Sequence, residues 1–491
     1  MSAENQVSSR GEAAKSRRRP LGGVKPQRFS ARSVLAVVAG AVMLLPACGQ
    51  YDGVHDQFYA DGGTNPGIEG SEEGGGAGSG SDGSGSGSGS GGSSGGDSSG
   101  NGSDGNGEGG GSSSGSGGGD TTGVTDDSIT IGIHAPLTGA APLRQDSFET
   151  GKDLYWNYGD GGDPVTVNGR TVEVAFADDR YRPSHARQVC QQMAEQDDAF
   201  LLIGGGGADQ IQSCAQYAAS DGIPYMSSGV SETGLSNLNN YFAASMTYRQ
   251  QVPLLSDYIQ NELGVTDASN VAAVVTNTPN FDDAAEGFED AFPGVDMFRP
   301  DKNDRGSSAA GNLCAGSNNN YDVVFVLTAP TYYLELASAA SCSPTYVGIG
   351  ISMDVDQVAS TGCSSGGSTE DARFFSPTPA FEDARQGEWD ADFMEAASAA
   401  GMEPDDVLWM LWGQSKIIHQ ILEEAGEDLS RESFIATAEN ASINTDVFPE
   451  LNYSPDNNFG ASQVNVLRNV CESRGGESGY YVTDHSFVSG F

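Results

Sequence analysis

From residue 128 onward, short apolar runs alternate with stretches of helical spacing. "SITIGIHAP" (128–136) is a β-branched run closed by Pro136, and "TVEVAFADD" (171–179) alternates apolar with polar positions. "FLLIGG" (200–205) and "IPYMSS" (223–228) are continuous apolar segments of buried-strand length. Between them, "PSHARQVCQQMAEQ" (183–196) and "ADQIQSCAQYAASDG" (208–222) read as helices. In the second, Ile211, Cys214, Ala215 and Tyr217 or Ala218 share a face, and Gly222 stands where a helix ends in left-handed backbone. After a break near 246–252 the alternation resumes: "VAAVVTN" (271–277), a helix over 281–291, "DVVFVLT" (322–328), a helix over 331–340, and "TYVGIGI" (345–351). A helix-rich tail follows, with "DDVLWMLWGQSKIIHQILEEAG" (405–426) expected to return to the first series. Strands separated by helices of this length predict parallel sheets with right-handed crossovers, so the two series predict an α/β chain of two doubly wound lobes.

The residues that follow each strand are where such sheets bind ligands. This brings "HAPLTGAAPLRQ", "DDRYRP", "GGGGADQ", "SSGVSE" and "LTAPTYY" to one predicted cleft. The glycine turn Gly204–Gly207 before a helix is an anion-binding device, since free amides and the positive end of the helix dipole point to one spot. No Walker lysine follows the turn and no predicted strand-to-helix turn carries a G-x-S-x-G elbow, which weakens nucleotide hydrolysis and acyl transfer. Asp178 and Asp179 read either as paired catalytic carboxylates or, as we favour, as anchors of the loop after their strand. His55, His134, His185, His419 and His485 lack metal-ligand spacing, so neither metal nor cofactor is expected, and no enzymatic activity.

Composition narrows the partners. The 491 residues carry 24 Lys plus Arg against 67 Asp plus Glu, a formal net charge of −43, so a phosphate backbone is repelled and nucleic acid is excluded. The basic residues Arg10, Lys15, Arg17, Arg18, Arg19, Lys25, Arg28 and Arg32 precede "VLAVVAGAVMLLPAC", which reads as a signal peptide over 1–47 with too short an apolar core to span a bilayer comfortably. Leu45-Pro46-Ala47-Cys48 resembles the bacterial lipobox, which makes Cys48 the expected lipid-modified first residue of the mature chain; an ordinary signal peptide is the alternative, and the export route is open. Residues 48–123 then form a tether: from Gly70 to Gly119, 41 of 50 residues are Gly or Ser, with nothing apolar enough to offset chain entropy. A coil of that length spans roughly 40 Å.

In order and spacing, "ITIGIHAPLTGAA", Gly151, "VNGRTVEVAFADDRYRPSHARQVCQQM", "LLIGGGGADQ" and "GIPYMSSGVSE" resemble the leucine/isoleucine/valine-type solute-binding proteins of bacterial ABC importers, closely over 125–250 and more loosely beyond. The resemblance implies the type I periplasmic binding fold over 124–491, with one lobe at about 124–248 and 376–465 and the other at about 249–375 and 466–491. It also implies a hinged trap that hands a small solute to a membrane permease. Matched position by position, the ligand-binding residues fall on Arg144, Ala208, Asp209, Ser228, Val230, Ser231, Thr328, Ala329 and Gly350. Only Ser231 is conservative: Ala208 replaces a hydroxyl, Arg144 and Ala329 replace aromatics, and Gly350 replaces the glutamate that receives an α-ammonium. With Arg144 in the cleft a carboxylate finds a guanidinium, whereas an ammonium needs Asp209 or Asp354. The plainer alternatives are a solvated Arg144, and Asp209 paired with Gln212 as helix cap and third residue.

Setting Cys48 aside leaves six cysteines in an exported chain, and the pairing expected is Cys190 with Cys214, Cys314 with Cys342 and Cys363 with Cys471, against free buried thiols. The expectation is thus an extracytoplasmic, lipid-anchored, monomeric solute-binding lipoprotein that delivers a branched-chain amino acid or a related carboxylate or amide to an ABC permease. The alternatives are a ligand-sensing receptor of the same fold and a wall-associated structural lipoprotein.

Overall fold

The computed structural model describes residues 119–491 apart from 140, 229–233, 315–320, 351–353, 366–368 and 475. The expected signal peptide, Cys48, nearly all of the tether, Val230 and Ser231 lie outside the described residues.

The apolar runs form two sheets. In the first are β1 (Ser128–Ala135), β2 (Thr166–Val167), β3 (Arg170–Asp178), β4 (Leu201–Gly204), β5 (Tyr225–Ser227) and β6 (Tyr241–Ala243), in the order β2-β3-β1-β4-β5-β6. All pairs are parallel except the β2–β3 hairpin. The second sheet contains β7 (Val271–Val275), β8 (Asp296–Phe298), β9 (Val323–Leu327), β10 (Thr345–Gly348) and β11 (Arg373–Ser376). After β11 the chain lays helices against the first sheet and forms the small pair β12 (Ser442–Ile443) and β13 (Leu451–Asn452). It returns as β14 (Val464–Val470) and β15 (Tyr480–Val488), giving the order β15-β14-β11-β10-β9-β7-β8. The last two strands pair antiparallel, because a short loop rather than a crossover helix joins them. The purely parallel lobes expected from the sequence therefore carry antiparallel additions at their edges.

Parallel strands covered on both faces need apolar residues on both, and β7 shows the result: Val271, Ala273 and Val275 enter one core, Ala272 and Val274 another. In the first sheet, Ile129, Ile131 and Ile133 of β1 are buried in the large core cluster, while the opposite face packs on the helices Pro183–Glu195 and Ala208–Ser220. The latter helix ends as its sequence predicts, with Gly222 at φ 67°. The break between the two series is the start of the helix Tyr248–Asn261, where Thr247 and Gln250 form a reciprocal capping box.

The helix Asp406–Ala425 is apolar nearly all round and accordingly buried, packed against Gln145–Glu149 and Leu154–Tyr158 beside the first sheet. Arg431 pins the tail there, donating to the carbonyls of Ala199 (2.7 Å) and Phe200 (3.2 Å) and pairing with Asp120 (2.6 Å). Three disulfides close the chain: Cys190–Cys214 joins the two helices on the outer face of the first sheet, and Cys314–Cys342 and Cys363–Cys471 lie beside the second.

Candidate functional site

In each sheet the chain reverses its winding once, between β1 and β4 in the first and between β7 and β9 in the second. Open α/β sheets leave a crevice at such points, outside the carboxyl ends of the strands. The two crevices face one another across a cavity of about 210 Å³. Its first-lobe wall includes Pro136, Leu143, Tyr181 and the turn Gly205–Gly207; its second-lobe wall includes Phe281, Leu327, Thr328, Ala329 and Ile349, with Tyr248 between. No Asp, Glu, Lys or Arg side chain lines it among the described residues.

The glycine turn makes room for the cavity. A Cβ at Gly205 would press on Ala135 of β1, and Gly207 has φ 79°. Gly207 is also the helix cap and supplies no side-chain cap, so the first-turn amides of Ala208–Ser220 point their unsatisfied N–H groups and positive dipole end at the cavity edge.

Asp178 and Asp179 hold the adjoining loop, and their geometry is that of anchors. Asp178 accepts from the Leu137 amide (2.9 Å), the Thr138 hydroxyl (2.7 Å) and the Arg180 amide (2.9 Å). Burial opposes ionisation there, but these bonds hold its carboxyl below the usual range. Asp179, fully buried, binds His134 Nδ1 (2.8 Å) and the Tyr181 amide (2.8 Å), while His134 Nε2 meets the Tyr225 hydroxyl (2.7 Å). Arg180 and Tyr181 are both left-handed, at φ 57° and 56°. Such backbone persists only where its surroundings over-determine it. Here the carboxylates do so, and Tyr181 is thereby set against the cavity.

The residues implied by resemblance are spread over three environments. Ala208, Thr328, Ala329 and Gly350 line the cavity. Ser228 is buried beside it, in a separate hollow of about 10 Å³ with Ser245, Gln251 and Gln463. Arg144 and Asp209 lie outside the cavity lining, and each has partners on the other lobe. The Arg144 guanidinium meets Asp354 (3.1 Å), Glu477 (3.6 Å) and Asp405 (3.9 Å). Burial alone would lower its pKa, but Asp406, Asp354 and Asp405 raise it. Arg144 is therefore neither a free carboxylate clamp nor a solvated loop residue. Asp209 is in the first turn of its helix and not its cap, so the capping alternative fails. Its carboxylate accepts from Lys302 Nζ (2.6 Å) and from Asn280 Nδ2, both beside the second sheet.

The acidic side of the Arg144 cluster is buried. Burial, partly offset by Arg144, pushes Asp354 up to about 6. Asp356, whose carboxylate accepts the Tyr481 amide (2.9 Å), is likewise raised by burial to about 6. Burial and the charges of Asp356, Asp354 and Asp405 raise Asp406 well above the ordinary range.

Sequence reasoning brought Tyr333 to the cleft within "LTAPTYY" but missed Tyr248, Phe281 and Lys302 as functional residues. Phe281 follows β7, so reading every loop beyond a strand end as a potential wall would have found it. Lys302, on the loop after β8, has no local signal.

Two winding points facing one another across a cavity define the bilobal class of solute-binding proteins. The family model for periplasmic binding proteins matches residues 128–475, and the chain belongs to that family. No curated protein matches the chain by sequence. Among solved structures, a fatty acid ABC transporter substrate-binding protein from Thermomonospora curvata is similar at 18% identity and TM-score 0.61, over 75% of this chain and 94% of that one. A solute-binding protein of an ABC transporter from Rhodopseudomonas palustris BisB5, in complex with 3,4-dihydroxybenzoic acid, is similar at 16% and 0.56, over 74% and 99%. A leucine-binding protein from Thermotoga maritima is similar at 13% and 0.55, over 72% and 97%. At these identities the likeness is one of fold.

Proposed function

We propose that the protein captures a small, largely apolar solute bearing one acidic or amide group between its lobes and delivers it to an ABC permease, tethered to the membrane by a lipid on Cys48. The observation that carries this reading is the composition of the cavity wall: Pro136, Leu143, Tyr248, Phe281, Leu327 and Ile349 offer apolar surface, and among the described residues no charged side chain intrudes. At about 210 Å³ the cavity is below the roughly 300–1,000 Å³ common for drug-sized ligands, so the solute is small. The polar end of the solute would meet the amides after Gly205. The Tyr333 hydroxyl, on the same wall, is buried without a hydrogen-bond partner, and burial with the neighbouring Tyr481 and Tyr346 raises its pKa well above the ordinary value. Support also comes from the solved relatives in fold: a fatty acid ABC transporter substrate-binding protein, a solute-binding protein in complex with 3,4-dihydroxybenzoic acid and a leucine-binding protein.

Capture would proceed by population shift: a solute bound to one lobe recruits the other, and the permease recognises the closed form. The test is a thermal-shift screen over short-chain and aromatic carboxylates, amides and amino acids. A ligand at 100 times its Kd stabilises by about 2.7 kcal/mol and raises Tm by a few degrees. No shift with any small acid, amide or amine would refute solute capture and favour a structural role.

A further inference from the structure

The binding reading leaves the charge of the solute open, and the margins of the cavity bear on it. Beside the main cavity lies a polar annex of about 60 Å³, sharing Tyr181, Ala208, Phe281 and Ala329 with it and holding Asp209, Lys302 and Asn280. An α-ammonium in the cleft needs a carboxylate partner, because an unpaired buried charge costs several kcal/mol. Among the described residues, three positions could supply one.

Gly350 cannot. It has φ 73°, and a Cβ there would run into the Tyr248 ring, so no acidic side chain fits the position. Asp354 is directed to Arg144 at 3.1 Å, away from the cavity wall. Asp209 is the third, and its two oxygens are taken by Lys302 and Asn280. Asp301 stands on the annex as well, but it is exposed and receives the Asn277 amide at 3.0 Å.

We propose that Lys302 determines specificity: by occupying Asp209 as the lobes meet, it withdraws the carboxylate nearest the cavity and selects apolar acids or amides that lack an α-ammonium. This rests on the solute-capture reading. Lys302 is anchored on the second lobe by the turn in which the Asp301 amide donates to Asp304 (2.9 Å), whereas Asp209 belongs to the first. The pair therefore forms on closure, when an amino acid would need Asp209 most. An ammonium-bearing solute has to displace a preformed ion pair at 2.6 Å; its deaminated analogue does not.

The test compares matched probes by calorimetry and thermal shift: L-leucine against 4-methylpentanoate and L-phenylalanine against 3-phenylpropanoate. In the unaltered protein the deaminated acid of a pair is expected to bind at least tenfold more tightly. Lys302→Met is expected to improve amino-acid affinity at least tenfold and leave the deaminated acid within a few-fold. Lys302→Arg, which keeps the charge, should retain the original preference, a rescue that a merely structural role would not require to track selectivity. Should Lys302→Met not fold, Lys302→Gln carries the same expectation. Equal affinity for leucine and 4-methylpentanoate in the unaltered protein would overturn the proposal and leave solute capture standing. A folded Lys302→Met or Lys302→Gln protein that still prefers the deaminated acid would do the same. Binding of none of the four probes would overturn the proposal, and the absence of any hit in the wider screen would overturn solute capture as well.

Discussion

Asp406 Oδ2 accepts the backbone N–H of Val355 at 2.7 Å, so the first residue of the long tail helix beside the first sheet holds the first residue of a helix beside the second. The bond is buried, and the other Asp406 oxygen has no partner. Arg144, Asp354, Asp405, Asp356 and Glu477 surround it, with Glu382 and Arg385 beyond Asp356. One guanidinium thus faces several carboxyls at the meeting of the lobes.

The lobes are expected to close more readily in acid. Asp354 and Asp356 are raised to about 6 and Asp406 higher, whereas solvated carboxyls titrate near 4, so the closed form binds protons that the open form releases. That advantage is complete below about pH 4 and fades as pH rises through about 6 and beyond, with Asp406 extending the window. Small-angle scattering of the ligand-free protein should show a smaller radius of gyration at pH 5 than at pH 7.5. Asp406→Asn, permanently neutral, should flatten the profile. An unchanged radius over this interval would contradict the role of the cluster.

Asp179 is expected to matter twice, for stability and for binding. Its removal strands His134, and leaving a buried hydrogen-bonding group unpaired costs about 1–3 kcal/mol. Asp179→Ala should therefore lower Tm by several degrees in a denaturation experiment. Tyr181→Ala, by contrast, cuts into the cavity wall and should lower Tm less than Asp179→Ala does while weakening ligand about tenfold, or 1.4 kcal/mol. Comparable losses of stability in both would show that the loop has no separate binding function.

Gly350→Ala should harm both fold and site. The new methyl meets the Tyr248 ring in left-handed backbone, an overpacking that costs roughly 1–3 kcal/mol. Tyr248 lines the cavity, so its displacement should also lower affinity. Full affinity at undiminished Tm would show that the ring yields freely.

How much of this was legible follows from what each signal depends on. The glycine turn, the strand ends and the helix stop at Gly222 are local choices, visible because positive φ and continuous apolar runs leave few alternatives. The anchoring role of Asp178 and Asp179 was legible for the same reason, since both bind amides within the turn they precede. Arg144 and Asp209 were singled out as ligand residues, but the partners they have in the structure lie 210 and 93 residues away, and no local pattern records such distances. Lys302 is the extreme case: one cation in the charged stretch Arg299–Arg305, meaningful only once two lobes are placed face to face. The antiparallel strands β14 and β15 were hidden because their edge position depends on where the tail returns.

Removal of the Cys363–Cys471 disulfide should cost more than removal of either other one. Its partners are 108 residues apart, against 24 and 28, and in the loop-entropy account a closed loop of about 100 residues is worth about 4.7 kcal/mol and one of 15 about 3. The long loop also contains the excursion in which the chain leaves β11, lays the helix Asp406–Ala425 against the first sheet and returns as β14. Opening this bond frees the return strand as well as the chain, since Cys471 directly follows β14 and Asn469 of that strand donates to the Thr369 carbonyl at 2.8 Å near Cys363. Cys363→Ala with Cys471→Ala should therefore show the lowest denaturation midpoint of the three double variants, measured at equal protein concentration without reductant. An equal or smaller loss than for Cys190→Ala with Cys214→Ala would place the stabilisation in native packing of the helix pair, where both sulfurs are fully buried, and not in the length of the closed loop.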